Sequence, residues 1–195
     1  AHACLLHVAR ADLPGVLASV HAALRVNGLH FANYKLGSAE GRDPLGRLTN
    51  LPDEEWRRVI DVNLSGVFYC CQAALQPMLE QGSGVIVSIS SRSAIFGAEG
   101  VSPAYNASKA AVLGLTMSLS KQVSDKGVRV NAIMPSLIES RDFGWTPEER
   151  AERISHYPLG VGAPSDVGEA VRYLVSPAAR WVSGTALQIT GGFQG

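Results

Sequence analysis

Short runs of β-branched and apolar residues alternate with longer stretches of helical period, and this alternation constrains the fold more than any other feature of the chain. The clearest run is 85–89, which follows a Gly-Ser-Gly turn and precedes a serine-rich loop. Further strands are expected at 3–8, 29–33, 127–133 and 186–189. Such a pattern is typical of βα units around a mostly parallel sheet. The length of 195 residues predicts one domain that spans the whole chain, 1–195.

Helices are predicted between these strands from the spacing of apolar residues. They are expected at about 13–26, from Pro52 to about residue 79, and over about 103–123. The segment 37–51 is rich in glycine, proline and charge, so it is predicted to be a loop. Ser165 is expected to cap one more helix. The buried face of that helix would carry Val167, Val171 and Leu174.

Composition disfavours several classes of partner. Seventeen basic and seventeen acidic residues give a formal net charge of zero, so there is no electrostatic footprint for nucleic acid or an anionic membrane. The apolar runs are too short to span a bilayer. The three cysteines are an odd set whose only close pair is adjacent, so a disulfide framework is not expected and a cytoplasmic location is predicted.

Tyr105 and Lys109 lie four residues apart in a predicted helix, so their side chains leave the same helical face. A tyrosine with a pKa near 10 is a poor acid or base at neutral pH, and a nearby ammonium lowers that pKa by stabilising the phenolate. The pair is therefore suited to proton transfer. Taken alone, however, it more often represents a tyrosine packed at the core edge beside a solvated lysine.

The surroundings of this pair resemble the short-chain dehydrogenase/reductase family. Residues 105–111 read YNASKAA and match the family's Tyr-x-x-x-Lys signature, with Ser91 after the preceding strand as the counterpart of its catalytic serine. Residues 56–68 resemble the family's fourth helix, which carries the catalytic asparagine, here Asn63. Residues 127–135 and 158–192 resemble its later strand and C-terminal third. The resemblance covers nearly the whole chain.

The resemblance implies a role for each member of this set. Tyr105 would exchange a proton with a substrate carbonyl or hydroxyl, and Ser91 would hydrogen-bond to the same oxygen. Lys109 would lower the tyrosine pKa and hold the nicotinamide ribose, while Asn63 would support a water in the proton relay. Ser91 precedes Tyr105 by fourteen residues, one more than the family spacing, so Ser93 is the alternative. Without the resemblance, Ser91 would be a loop serine whose hydroxyl caps main-chain groups. Asn63 would be a buried amide that hydrogen-bonds to the main chain.

The implied cofactor is NAD or NADP, with no metal ion. Its nicotinamide half would lie against Tyr105, Lys109 and the segment that follows the strand 127–133. Ser136 replaces a family glycine, and Ser140 stands where the family often places a threonine that contacts the carboxamide. The full set of expected cofactor-binding residues is Tyr105, Lys109, Pro135, Ser136, Ile138 and Ser140.

The family's glycine-rich phosphate turn has no counterpart before the first helix. The resemblance therefore implies a Rossmann-like, doubly wound and mostly parallel sheet from which the first two β-α units of the family pattern are missing. His7 and the segment 34–37 also depart from the family, on the dinucleotide side. Either the chain is part of a longer protein, which we favour, or it is a shortened member with weak cofactor binding. In either case the strand at 3–8 must re-pair, form an edge or pair elsewhere.

The expected activity is NAD(P)-dependent interconversion of a secondary alcohol and a ketone, with a small-molecule substrate. The alternative is a catalytically impaired relative that serves as a binding or oligomerisation protein. The resemblance also implies a homodimer or homotetramer, built from the helices near 66–79 and 104–119 and from the last strand. Residues 141–157 occupy the position of the family's mobile substrate loop, and carry Phe143, Trp145 and His156.

Overall fold

The computed structural model describes residues 4–7 (backbone only), 50–98, 101–139 and 144–193. Four strands and six α-helices lie in these ranges. The strands are β1 (Cys4–His7), β2 (Gly84–Ile89), β3 (Val128–Pro135) and β4 (Ala186–Ile189). The helices are α1 (Asp53–Ile60), α2 (Gly66–Glu80), α3 (Ser93–Phe96), α4 (Pro103–Val123), α5 (Pro147–Ser155) and α6 (Pro164–Val175), and a π-helical turn, Asp61–Ser65, joins α1 to α2.

The strands form one sheet in the order β1-β2-β3-β4. β2, β3 and β4 are parallel neighbours, with Ile86 opposite Val130 and Ala132 opposite Ala186. β1 instead pairs antiparallel with β2, with Leu5 opposite Val87. The Rossmann-like α/β prediction is therefore confirmed for the parallel part of the sheet. Of the three outcomes expected for the first strand, two are observed together: β1 re-pairs with β2, and it forms one edge of the described sheet.

Helices cover both faces of the sheet because the central strands are apolar on both sides. On one face, Ile86, Val128 and Val130 pack with buried residues of α2 and α4. On the other face, Val85, Val87 and Ile133 pack with α6; the α6 residues in this second cluster are Ala170, Leu174, Val171 and Val175. None of the helices in the described ranges is long and apolar enough to cross a membrane.

The helical stretch from Asp53 to Glu80 confirms the long helix predicted from Pro52, but its buried stripe differs from the expectation. In a regular α-helix, the spacing of Trp56, Ile60, Asn63 and Val67 would place all four on one stripe. Val59, Asn63 and Val67 are buried, whereas Trp56 is 42% exposed. A π-helical turn adds a residue to one turn and so shifts the phase of every side chain beyond it. The inward stripe therefore reaches Val59 and leaves Trp56 outside.

The remaining element predictions can be compared within the described ranges. Strands at 85–89, 127–133 and 186–189 and the helix at 103–123 are confirmed. Ser165 as a helix cap is wrong, because α6 already begins at Pro164 and Ala163 occupies the N-cap position. The side chain of Asp166 accepts a hydrogen bond from the Ala163 main-chain N–H at 2.7 Å. The predicted helix at 13–26 and strand at 29–33 lie outside the described residues, as does the predicted loop at 37–51 up to residue 49; residues 50 and 51 lie outside any helix or strand.

Candidate active site

The carboxyl ends of β2, β3 and β4 meet at one edge of the sheet because these strands are parallel. Main-chain hydrogen bonds continue the alignment beyond the strands. Ser90 N–H donates to the Ile133 carbonyl at 2.8 Å, and Ser136 N–H donates to the Ile189 carbonyl at 3.0 Å. In open α/β sheets, ligands bind outside the carboxyl ends of the strands. The side chains that follow β2 and β3 are therefore the first candidates for a site.

Ser91 and Tyr105 come together at this edge. Ser91 follows β2, and its side chain hydrogen-bonds to the Tyr105 side chain near the start of α4. The Ser91 and Ser93 hydroxyl oxygens lie 3.0 Å apart, so the alternative serine belongs to the same cluster. Between α3 and α4, residues 97, 98, 101 and 102 lie outside any helix, so an extra residue between serine and tyrosine interrupts neither helix.

Lys109 lies one helical turn beyond Tyr105 and is fully buried. Its Nζ donates to the Ile89 carbonyl at 2.8 Å and lies 5.7 Å from the centroid of the Tyr105 ring. Burial disfavours the ammonium and lowers the pKa of Lys109 to about 8. The solvated-lysine alternative is therefore wrong for this residue, because its side chain points into the site.

The pKa of Tyr105 is raised above its ordinary value, chiefly because the ring is buried. The hydrogen bond with Ser91 acts in the opposite direction and lowers the pKa in part. Tyr105 is thus a neutral phenol at pH 7, the form that can donate a proton to a carbonyl oxygen. Sequence reasoning named Lys109 as the group that lowers this pKa; in this structure the lowering contribution comes from Ser91.

Asn63 reaches the same helix from the π-helical turn. Its side-chain amide donates to Ser108 Oγ at 3.1 Å, and Ser108 Oγ donates to the Tyr105 main-chain carbonyl at 2.7 Å. The buried Asn63 Oδ1 has no hydrogen-bond partner within the described part of the chain. A buried carbonyl oxygen of this kind normally has a partner, often an ordered water. The geometry is therefore compatible with a water beside the tyrosine helix.

The predicted cofactor-binding residues lie on the segment that leaves β3. Pro135 ends the strand and pairs with Ile189, and Ile138 forms a bridge with Gly162. The Ser136 hydroxyl lies 2.8 Å from the Tyr157 hydroxyl, so this serine already has one partner. Ser140, the segment 34–37 and the His7 side chain lie outside the described residues.

Part of the expected substrate loop forms helix α5. Thr146 caps this helix, accepting a hydrogen bond from Glu149 N–H at 3.2 Å while the Glu149 side chain accepts from Thr146 N–H at 3.0 Å. Arg150 binds both carboxylate oxygens of Glu139 at 2.8 and 2.9 Å. This ion pair joins α5 to the segment that follows β3. Phe143 lies outside the described residues.

Two aromatic residues of the site were missed from the sequence. Tyr157 bonds to Ser136, and its ring packs edge to face against Phe193 at 4.9 Å between centroids. Tyr157 follows α5 and Phe193 follows β4, so only the fold brings them together. Ser108 was read as part of the YNASK motif without a role of its own, although its position between Tyr105 and Lys109 was a usable signal.

Comparison with known proteins identifies the family to which the chain is similar. Residues 16–194 match the family model described as enoyl-(acyl carrier protein) reductase. The chain is 38% identical over 145 residues to 2-(S)-hydroxypropyl-CoM dehydrogenase 3 of Xanthobacter autotrophicus, covering 70% of this chain and 56% of that protein. It is 37% identical over 147 residues to an inactive 2-(S)-hydroxypropyl-CoM dehydrogenase 2 of the same organism, covering 71% of this chain and 64% of that protein.

A solved structure extends the comparison to the fold. A 3-oxoacyl-(acyl-carrier protein) reductase from Brucella melitensis with bound NAD superposes with a TM-score of 0.68 at 33% identity, covering 73% of this chain and 53% of that one. The chain thus spans little more than half the length of such relatives. The family match, the βα architecture and the Ser91, Tyr105 and Lys109 cluster agree. This chain belongs to the short-chain dehydrogenase/reductase family.

Proposed function

We propose that this chain carries the catalytic half of an NAD- or NADP-dependent oxidoreductase that interconverts a secondary alcohol and a ketone. The observation that carries the proposal is the hydrogen bond between the Ser91 and Tyr105 side chains at the carboxyl edge of the sheet. It puts two hydroxyl groups side by side where one substrate oxygen can bind both.

In the reduction direction, Ser91 holds the substrate carbonyl oxygen and Tyr105 donates its phenolic proton to that oxygen. A bound reduced nicotinamide supplies the hydride that the carbonyl carbon accepts. The product alcohol then leaves, and the Tyr105 phenolate takes a proton from solvent. Oxidation is the reverse, with Tyr105 as the base. The raised pKa of Tyr105 favours the protonated form and thus its role as an acid at neutral pH.

The residues present fit the nicotinamide half of such a cofactor. Lys109 Nζ has three N–H donors, and Ile89 O accepts one of them, which leaves donors for ribose hydroxyls. The segment with Pro135, Ser136, Ile138 and Ser140 is proposed as the wall against the nicotinamide ring. Asn63 is proposed to hold a water that links Lys109 to solvent, since its Oδ1 has no partner among the residues described. The bound NAD of the Brucella reductase supports the choice of cofactor.

The alternative is a non-catalytic relative that acts by binding or oligomerising. An inactive Xanthobacter dehydrogenase is the reason to test it, because that protein matches this chain with 37% identity, close to the 38% of dehydrogenase 3 of the same organism. Overall identity therefore does not distinguish the two functions. The expected missing glycine-rich unit, and a homodimer or homotetramer, remain predictions.

Cofactor titration tests the proposal. NADH and NADPH are titrated separately into the purified chain while tryptophan fluorescence and the thermal midpoint are followed. Saturable quenching with a raised midpoint is expected, because a ligand that binds only the folded state stabilises it. A folded chain that binds neither nucleotide, and oxidises neither in the presence of ketones, would contradict the proposed function and favour the binding-protein alternative.

A further inference from the structure

Arg92 follows Ser91 directly and starts from the same edge of the sheet. Its main-chain N–H donates to the Pro135 carbonyl at 3.0 Å, which fixes the backbone above the end of β3. The guanidinium carbon lies 3.7 Å from the centroid of the Phe193 ring and 5.4 Å from that of Phe96. Phe193 follows β4 and Phe96 ends α3. The cation therefore lies close to two aromatic side chains, and the nearer one is Phe193.

No ion pair or side-chain hydrogen bond of the Arg92 guanidinium exists with any residue in 50–98, 101–139 and 144–193. The side chain is nevertheless half-buried. Arg150 and Arg172, which are more exposed, each bind a glutamate. Partial burial of an unpaired cation costs free energy, and aromatic stacking offsets only part of that cost. A residue with this combination is a candidate for binding an anion.

We propose that Arg92 is a specificity-determining residue that binds a carboxylate group carried by the ketone or alcohol substrate. The inference rests on the proposed function and names its substrate class. A guanidinium stacked on a ring at 3.7 Å keeps the N–H donors at its edge available, and their fork matches the two oxygens of a carboxylate.

Two further features support a carboxylate at the candidate active site. Arg92 neighbours Ser91 in the chain, and its guanidinium packs on Phe193, whose ring contacts Tyr157, the hydroxyl partner of Ser136. The ring of Phe193, and at a longer distance that of Phe96, adds apolar surface beside the half-buried guanidinium. Lower local polarity strengthens a charge-assisted hydrogen bond.

The test compares 3-oxobutanoate with its methyl ester, which has the same ketone and no charge. Reduction of both is measured at saturating NADH or NADPH with the wild-type chain and with Arg92→Met, which keeps an unbranched apolar stem, and Arg92→Lys. Arg172→Met is the matched control, because Arg172 is exposed on α6 and pairs with Glu169. Binding of both compounds is measured separately by ligand-observed NMR, which does not depend on turnover.

We expect Arg92→Met to lower kcat/KM and affinity for the acid by roughly 10- to 100-fold, the value of a hydrogen bond to a charged group. The same two quantities should change little for the ester. Arg92→Lys should retain part of the preference, and Arg172→Met all of it. Equal losses for acid and ester, a raised KM for the nucleotide, or no change would overturn the inference. If Arg92→Met does not fold, the inference is tested by Arg92→Lys and by whether the wild-type chain prefers the acid to the ester.

The two claims can fail separately. Arg92-dependent binding of the acid without any turnover would contradict the proposed function and keep the inference. Turnover of acid and ester with equal efficiency, unaffected by Arg92→Met, would contradict the inference and keep the proposed function.

Discussion

Lys109 Nζ donates a 2.8 Å hydrogen bond to the main-chain carbonyl of Ile89, so the buried ammonium of α4 is anchored to the last residue of β2. A carbonyl oxygen is a fixed acceptor that does not titrate. The bond therefore positions the lysine without neutralising its charge. Both the reactivity and the stability of this part of the protein depend on that arrangement.

Stability should depend on the protonation of Lys109. Its pKa is lowered from 10.5 to about 8 in the folded chain, so the unfolded chain binds more protons between these values and the free energy of unfolding rises with pH in that window. Below pH 8 the cost of the buried charge is fully present. Lys109→Met should raise the free energy of unfolding at pH 7 by about 1–3 kcal/mol. It should also abolish the increase of that free energy with pH.

Urea unfolding at half-unit steps from pH 7 to 10 measures this contribution. The series stops at 10 because the raised pKa of Tyr105 acts in the opposite direction above that value. Lys121→Met, at an exposed position of the same helix, is the control and should keep the wild-type slope. An unchanged slope in Lys109→Met would show that the buried ammonium is not the cause.

Ser91 and Ser93 should differ in their effect on turnover. Ser91→Ala removes a donor to the substrate oxygen and should lower kcat by about 10²- to 10³-fold, whereas Ser93→Ala should stay within about tenfold of wild type, since Ser93 contacts Ser91. Ser91→Ala should also raise the pKa of Tyr105, because the hydrogen bond that lowers it is lost.

The pH profile of alcohol oxidation reads out this second effect. Tyr105 acts there as a base, so the rate rises with pH, and the rising limb should move to higher pH in Ser91→Ala. The opposite ranking of the two serine variants would assign the catalytic role to Ser93.

Asn63→Leu should separate activity from stability. The variant keeps side-chain size, removes an oxygen that lacks a partner among the described residues, and leaves Ser108 its acceptor, the Tyr105 carbonyl. We expect the free energy of unfolding to change by less than about 1 kcal/mol, with turnover reduced by about 10²-fold if a relay water is lost. Ser108→Ala removes the hydrogen-bond acceptor of the buried Asn63 amide, so this variant should instead destabilise the protein. Full activity of Asn63→Leu in a folded protein would exclude the relay.

Gly127 and Gly82 form a matched pair for stability. Both have positive φ, +79° and +69°, but an added Cβ at Gly127 would overlap the Gly82 carbonyl oxygen, whereas one at Gly82 meets nothing within 4 Å. Gly82→Ala should cost about 1–2 kcal/mol from backbone strain. Gly127→Ala should cost roughly 1–3 kcal/mol more from overlap. Chemical denaturation of both variants gives the difference, and equal losses would contradict the packing account.

Local sequence signals were sufficient for the central elements of the fold. The strand at Gly84–Ile89 agrees with a short, continuous apolar run whose middle is fully buried, and the helix at Pro103–Val123 agrees with the helical spacing of its buried residues. The antiparallel pairing of β1 has no local signal, since a four-residue strand can pair in either direction. The exposure of Trp56 depends on a π-helical turn that periodicity does not encode.

The candidate site was predictable where motif spacing fixes geometry. Tyr105 and Lys109 share a helix face, so their proximity follows from i, i+4 spacing. Ser91, fourteen residues away, was placed by its position after a strand. Tyr157 and Phe193 approach through separate loops, and nothing in their own segments indicates this contact. Residue contacts that cross the sheet edge thus required the three-dimensional structure.

The Tyr105→Phe variant tests the central claim most directly, with ketone-dependent nucleotide oxidation and nucleotide binding measured on the same preparation. Phenylalanine keeps the buried ring and removes the proton donor. We expect nucleotide affinity to be retained while turnover falls by about 10³-fold or more. Turnover close to that of the wild type in a folded variant would contradict the assignment of Tyr105 as the acid and base.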